Sequence, residues 1–420
     1  MPEHTVCAPK ASTVVWENLD EFVRQQIQDV LQELLDEEVN AFLGRLKSQR
    51  RTPEAPVGSA PAAYRNGYGA PRQVSTASGT VTVRRPRIRG LAERFESRVL
   101  PLFARRTRAV GELLPELYLH GLAQGDFELA LRGLLGEGAP LSASSIGRLK
   151  AVWQQEYGAW CQRDLADLEV VYLWADGIYV KAGLEKEKAA LLVVVAALAD
   201  GRKVVLAVQC GHRESTESWA ALLRDLKRRG MNAPRLVVAD GHLALWAALA
   251  QVYPEATEQR CWNHRILNVL DRVPKKSQAA TQLWLRQVMY AETREKAVEL
   301  RGKFSAWCEK HGSVSAAQVL SEDWERLVAY YDYPQAHWLH LRTSNPVESP
   351  FASARLRTSA AKRFKKSENA TAMLWKLLMV AESRFRKVHA PELMAKVAAG
   401  ARYENGRPQR VGEVEQRIAA

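Results

Sequence analysis

Apolar residues recur at helical spacing near the start of the chain. Trp16, Leu19, Val23, Ile27, Val30/Leu31 and Leu34/Leu35, with Asp, Glu and Gln between them, predict one amphipathic helix over 15–48. Such a stripe packs on its own chain or on a partner helix in a dimer. A Pro/Gly/Ala-rich stretch over 51–71 reads as a linker. In 73–90 the period shortens to alternation: Val81 and Val83 stand between Thr and Arg around Ser78-Gly79, which predicts a small hairpin with an arginine face. Its end, "RRPRIRG", has the composition of an extended arm that enters a minor groove, with Arg84, Arg85, Arg87 and Arg89 as its contacts. Helical spacing returns over 103–160 and breaks at Gly121 and Gly125. Short helices joined by Gly-containing turns fit a helix-turn-helix or an ordinary all-α domain. In the first reading the 144–157 helix, with Arg148 and Lys150, faces the groove.

From 169 the pattern changes. "EVVYLWADGIYV" (169–180) reads as a strand, and "AALLVVVAALADGRKVVLAVQCG" as two strands around Asp200-Gly201. A helix over 215–230 begins at Ser215, a capping residue, and ends at Gly230. Strand 235–240, helix 242–253, strand 256–262 and a helix from His264 follow. The order β-β-β-α-β-α-β-α predicts an α/β fold, a mixed sheet with helices packed on it. Residues 264–340 read as a helical, Trp-rich insertion, and 346–390 as one long final helix.

Charge narrows the function. The 420 residues are 47% hydrophobic, enough for a substantial core, yet 60 Lys+Arg against 47 Asp+Glu leave a net charge of +13. That excess points to a polyanion, most simply nucleic acid. An anionic membrane is the rival, but the longest apolar run, Ala189–Ala199, falls well short of the ~20 residues a span needs. The first residues lack the basic-then-apolar layout of a signal peptide, and five scattered cysteines suggest no disulfide framework, so a cytoplasmic protein is expected. The positive charge is concentrated. Residues 51–109 hold 12 arginines and 3 glutamates, and 342–387 hold 11 basic and 3 acidic residues. Arginine suits phosphate forks, so two nucleic-acid contact regions are expected.

Carboxylates supply the candidate chemistry. Asp-Gly occurs at 176–177, 200–201 and 240–241. The middle pair is a hairpin turn. Asp176 lies within a strand, where Asp-Gly also signals a turn; Asp240 ends a strand and precedes a helix, where it also suits a cap. Should their strands be neighbours, the two carboxylates meet and need a cation between them. Glu348 is the best third ligand. With Asn345 as N-cap and Pro346 after it, it also fits a capping box. Arg355, Ser359 and Lys362 follow on its face of a continuous helix, although Pro350 threatens a kink or a later start. Cys261 and His264 form a single C-x-x-H, half a zinc site, and a positioning role beside the site is the stronger reading.

Six stretches in order resemble the Mutator-type transposases of bacterial insertion sequences: "YRNGYGAPR…TVTVRRPRIRG", "WADGIYVKAG", "CGHRESTESWAALLRDLKRRG", "LVVADGHLALWAAL", "QRCWNHRILNVLDRVP" and "LRTSNPVESPFASARLRT". The resemblance implies an RNase H-like mixed-sheet core interrupted by an all-α insertion. It carries an Asp-Asp-Glu triad onto Asp176, Asp240 and Glu348, separated by 64 and 108 residues, and a Cys/Asp-x-x-His motif onto Cys261 and His264. It implies two Mg²⁺ (or Mn²⁺) on the triad, water-driven cutting that frees a 3′-OH at the element's end, and attack of that hydroxyl on target DNA. The partners would be double-stranded DNA, as terminal inverted repeats and target, and a second copy or more of the chain. Gly177 would leave room beside the metal where a side chain would crowd DNA. The division that follows is an N-terminal helical segment 1–50 with dimerisation as one role, a DNA-binding region 51–160, core 161–264, insertion 265–340, core 341–395 and a C-terminal tail 396–420. Arg355, Arg357, Lys362 and Arg363 would hold DNA by the site. A structure-specific nuclease on the same fold, or a catalytically silent DNA-binding regulator, are the alternatives.

Overall fold

The computed structural model describes residues 14–49, 63–91, 93–122, 126–136, 143–182, 188–211, 213–361, 364 and 366–409. It divides into two compact units, 1–149 and 150–420.

In the first unit a single turn at Trp16–Asn18 leads into α1 (Leu19–Leu43), which closes on Gly44. Its stripe packs within its own unit. Ile27, Leu31 and Leu35 meet Val74, Val81, Val83 and Leu100, while Val39 and Leu43 meet Ala63, Ile88, Leu91 and Phe95. Trp16, expected in that stripe, is 85% exposed. The hairpin is present, β2 (Arg72–Thr76) against β3 (Gly79–Val83). Two readings change. Residues expected as the end of a linker form β1 (Tyr64–Tyr68), and "RRPRIRG" is not a free arm: its β4 (Pro86–Arg89) pairs antiparallel with β1. The pair is anchored to α1 by polar bonds, Arg65 and the Tyr68 hydroxyl both reaching Asp36, at 2.8 and 2.7 Å. The rest of the linker, 51–62, lies outside the described residues. The helices α2 (Arg108–Leu119), α3 (Phe127–Leu135) and α4 (Ala143–Cys161) follow, the last crossing the boundary between units.

In the second unit β5 (Val170–Val180), β6 (Ala189–Leu198) and β7 (Lys203–Gly211) form an antiparallel meander, with Asp200 and Gly201 in the β6–β7 turn. The Ser215 hydroxyl caps α5 (Thr216–Arg228) by accepting from the Ser218 N–H. Next come β8 (Leu236–Ala239), α6 (Leu243–Val252), β9 (Thr257–Arg260) and α7 (Trp262–Leu270). The sheet order is β7-β6-β5-β8-β9, with β8 parallel to β5 and β9 parallel to β8. One face of the sheet is covered by α5 and α6: Leu173, Ala175, Leu192, Val194 and Val237 pack on Trp219, Leu223, Leu226, Leu245 and Trp246. Burial on this scale contributes roughly 1.5–3 kcal/mol per large apolar side chain and fixes the strands that carry the site.

The expected insertion is helical: α8 (Lys275–Met289), α9 (Arg294–Lys310), α10 (Val314–Ser321), α11 (Trp324–Val328) and α12 (Trp338–Leu341). The single helix expected over 346–390 is three: α13 (Asn345–Glu348), α14 (Phe351–Ala361) and α15 (Ser367–Glu382). Pro350 falls in the first break, where a proline has no N–H to donate and crowds the preceding turn. The shared face proposed for Glu348, Arg355, Ser359 and Lys362 therefore does not exist as one helical stripe. The described part of the tail holds the end of α16 (Met394–Ala398) and the hairpin β10 (Tyr403–Glu404) and β11 (Arg407–Pro408). No helix of the described residues is long and apolar enough to cross a membrane.

Candidate active site

Parallel pairing of β5 with β8 sets the first two carboxylates. Tyr172 pairs with Leu236, Leu173 with Val237 and Trp174 with Val238, a constant offset of 64 residues. The same offset separates Asp176 from Asp240, so the register places them abreast at one end of the sheet. Asp176 lies within one continuous strand, which runs through Asp176-Gly177 without a turn. The residues sharing its face are tied down by polar bonds: the Trp174 indole donates to His340 O (2.9 Å), and the Tyr172 hydroxyl meets His337 Nδ1 (2.8 Å). Glu348 arrives on α13, which packs against β5 and β6.

Each carboxylate has one oxygen held by a protein donor. Gly177 N–H donates to Asp176 Oδ1 (2.8 Å), His242 N–H to Asp240 Oδ1 (2.9 Å), and the Ser344 hydroxyl to Glu348 Oε1. The second oxygen of each has no hydrogen bond among the described residues, and no lysine or arginine pairs with any of the three there. Burial pushes the Asp176 carboxyl up to about 7; the Gly177 N–H opposes this, and the Glu348 and Asp240 carboxylates add to the rise. Three neighbouring carboxylates without a lysine or arginine partner, in a chain of net charge +13, fit a hard cation bound through oxygen.

Cys261 and His264 flank Glu348. Cys261 is buried at the head of α7, and His264 Nδ1 lies 3.8 Å from Glu348 Oε1. The Cys261 thiol beside it raises His264 to about 9 against the effect of burial, and the Glu348 and Asp240 carboxylates add to the rise. Ligand atoms of Cys261, His264 and Glu348 all lie within 4.8 Å of one another; among the described residues no other three such side chains do, the Asp-Asp-Glu set included. Trp262 is fully buried as a core residue.

Glycines open room for neighbours here. A Cβ on Gly177 would come within 1.8 Å of Glu214 Oε1. The space expected to lie open beside a metal is therefore filled by Glu214, whose carboxylate the Tyr179 hydroxyl hydrogen-bonds. Gly241, at φ +96°, lets the Arg260 side chain pass where a Cβ would stand 2.3 Å from Nε. Glu214 and Ser344 were not singled out by sequence reasoning. The one signal for Ser344 was its place four residues before Glu348, one helical turn away.

The candidate DNA contacts separate by exposure. Arg84, Arg87, Arg89, Arg148 and Arg355 are exposed, and Arg85 and Lys150 are half-buried. Arg357 is 2% exposed, which takes it out of reach of a duplex. Lys362 and Arg363 lie outside the described residues.

A mixed sheet that sets two carboxylates abreast, with a helix bringing a third, defines an α/β protein built around an acidic site. A family model described as "Transposase, Mutator family" matches residues 4–388. The chain belongs to this family of transposases. It is 46% identical over 298 residues to the transposase for insertion sequence element IS6120 of Mycolicibacterium smegmatis, spanning 71% of this chain and 92% of that protein. The transposase for IST2 of Acidithiobacillus ferrooxidans is 36% identical over 281 residues, 66% of this chain and 95% of its own. The transposase for ISRM5 of Rhizobium meliloti is 31% identical over 354 residues, 83% and 84% of the two chains. The resemblance seen in the six sequence stretches is thereby borne out.

Proposed function

We propose that this chain is a metal-dependent DNA transposase whose second unit is an RNase H-like core. On this reading Asp176, Asp240 and Glu348 hold two Mg²⁺ or Mn²⁺ ions. The observation that carries the proposal is the β5–β8 register, which aligns Asp176 with Asp240 while α13 packs Glu348 against the same strand. The free second oxygen on each carboxylate supports it. Bound there, the ions would supply the Lewis acidity that activates water and then a 3′-OH for in-line attack on a phosphodiester. The protein's part is to hold three carboxylates rigidly and to keep lysine and arginine side chains off them. The first unit, with Arg84, Arg85, Arg87, Arg89 and Arg148, and Lys150 on the same helix at the start of the second unit, would bind the element's terminal inverted repeats, and Arg355 would hold DNA near the site. Two ends must be brought together, so a dimer or larger assembly is part of the reading.

Asp240→Asn tests it. The variant is expected to bind end-bearing DNA as the native chain does, yet to lose both cleavage and strand joining in Mg²⁺. Strand joining by that variant would overturn the triad. Cleavage by the native chain with no joining in any divalent metal would instead mark a nuclease.

A further inference from the structure

Ser344 is completely buried and makes two bonds that neither packing nor helix capping requires. Its backbone N–H donates to the Cys261 sulfur (3.3 Å), and its hydroxyl donates to Glu348 Oε1. Cys261 N–H in turn donates to Ala239 O (2.7 Å), the residue before Asp240. Three hydrogen bonds thus run from the end of β8, through Cys261 and Ser344, to the Glu348 carboxylate. Trp262 N–H to Arg342 O (2.9 Å) and Asn263 Nδ2 to Asn345 Oδ1 (3.2 Å) fasten the same two segments on either side. Arg342 is itself held over the rings of Tyr290, Tyr330 and Trp338, at 4.9, 4.9 and 5.2 Å.

We infer that Ser344 is a positioning residue: it fixes one oxygen of Glu348 relative to Asp240, so that the other is presented to a metal ion in a single orientation. Segments 83 residues apart in sequence, at Cys261 and Ser344, are joined at the point where the site needs them aligned. The helix bearing Glu348 is only four residues long and cannot hold its own side chain by length. Groups that orient a metal-binding carboxylate typically change metal affinity 10–100-fold when removed. The inference rests on Glu348 being a metal ligand.

The test is Mn²⁺ binding to the full-length chain, read by electron paramagnetic resonance, for the native protein and for Ser344→Ala, Ser344→Thr and Glu348→Gln. Ser344→Ala is expected to weaken Mn²⁺ binding about 10-fold. It should raise the Mg²⁺ needed for half-maximal cleavage by a similar factor and leave the KM for DNA unchanged. Ser344→Thr, which keeps the hydroxyl, should restore the native values. Native Mn²⁺ affinity in Ser344→Ala would overturn the inference; should that variant fail to fold, Ser344→Gly, which also lacks the hydroxyl and suits a helix N-cap, decides on the same criterion. Glu348→Gln separates the two readings. If it binds Mn²⁺ natively, Glu348 is no ligand and the triad fails; if it loses Mn²⁺ while Ser344→Ala does not, only the role of Ser344 falls.

Discussion

Gly177 shows how a residue without a side chain shapes the site. It follows Asp176 on β5 and so faces the opposite side of the strand, where Glu214 Oε1 occupies the place of its missing Cβ. Burial raises the Glu214 carboxyl, and the Asp240 carboxylate adds to the rise. The close approach sets a further acid against the back of β5, the strand that carries Asp176. A methyl group at 177 meets the flexible end of a side chain, not backbone, so the fold can absorb it. Gly177→Ala is therefore expected to cost about 1 kcal/mol, the low end for overpacking. In the Gly177→Ala/Glu214→Ala double variant that cost should vanish, a coupling that a double-mutant cycle of denaturant unfolding would measure. Additive costs would mean that Glu214 does not fill the gap. Asp176 was legible as a strand carboxylate because its neighbours are apolar on both sides. Glu214 was not, because nothing in "GHREST" says that its side chain turns back over a glycine 37 residues earlier.

At the scale of elements, one acid gathers several of the ties between the helical stretch after α7 and the sheet. Asp323, at the head of α11, takes Arg260 of β9 at 2.5 Å, Arg265 of α7 at 3.2 Å and Arg326 at 2.9 Å. Arg265 is almost wholly buried, so it depends on this partner, on Glu322 at 3.7 Å and on Val319 O. Removing one member of a buried ion cluster costs about 3–5 kcal/mol because the remaining charge stays buried. Asp323→Ala is expected to lose that much in urea unfolding. Burial acts to raise the Asp323 carboxyl, but Arg260, Arg326 and Arg265 hold it below its usual value. A carboxylate depressed in the fold stabilises it above the unfolded pKa of about 3.9, and that contribution is lost as pH falls through the lower folded value. The native chain should thus lose stability on acidification below about pH 4 in a step that Asp323→Asn lacks. The strands, α5 and the helical insertion could be read from period and caps. The pairing of β1 with β4 could not, since Tyr, Arg and Asn in place of alternating aliphatics give no strand signal, and the pair is held by Asp36 from α1. The break after Glu348 was signalled by Pro350, yet the helical spacing on either side of it reads as one element.

Across the whole molecule, the net charge of +13 points to a polyanionic partner but not to which cations touch it. Exposure sorts them. Arg84, Arg87 and Arg89 stand open along β4 and its approach, whereas Arg357, in the second basic block, is 2% exposed. Binding to duplex DNA releases counterions, and log K falls with log salt at about 0.9 per phosphate contact. If the three arginines each neutralise a phosphate, replacing all three with alanine should lower the slope by about 3 while leaving the unfolding midpoint close to native. Arg357→Ala should do the reverse, lowering the midpoint while leaving the slope unchanged, because a side chain sealed in the fold has no counterion to release. Titrations of end-bearing DNA at several salt concentrations read both effects. An unchanged slope in the triple variant would move the first contact region away from β4, and a reduced slope in Arg357→Ala would mean that α14 opens when DNA binds.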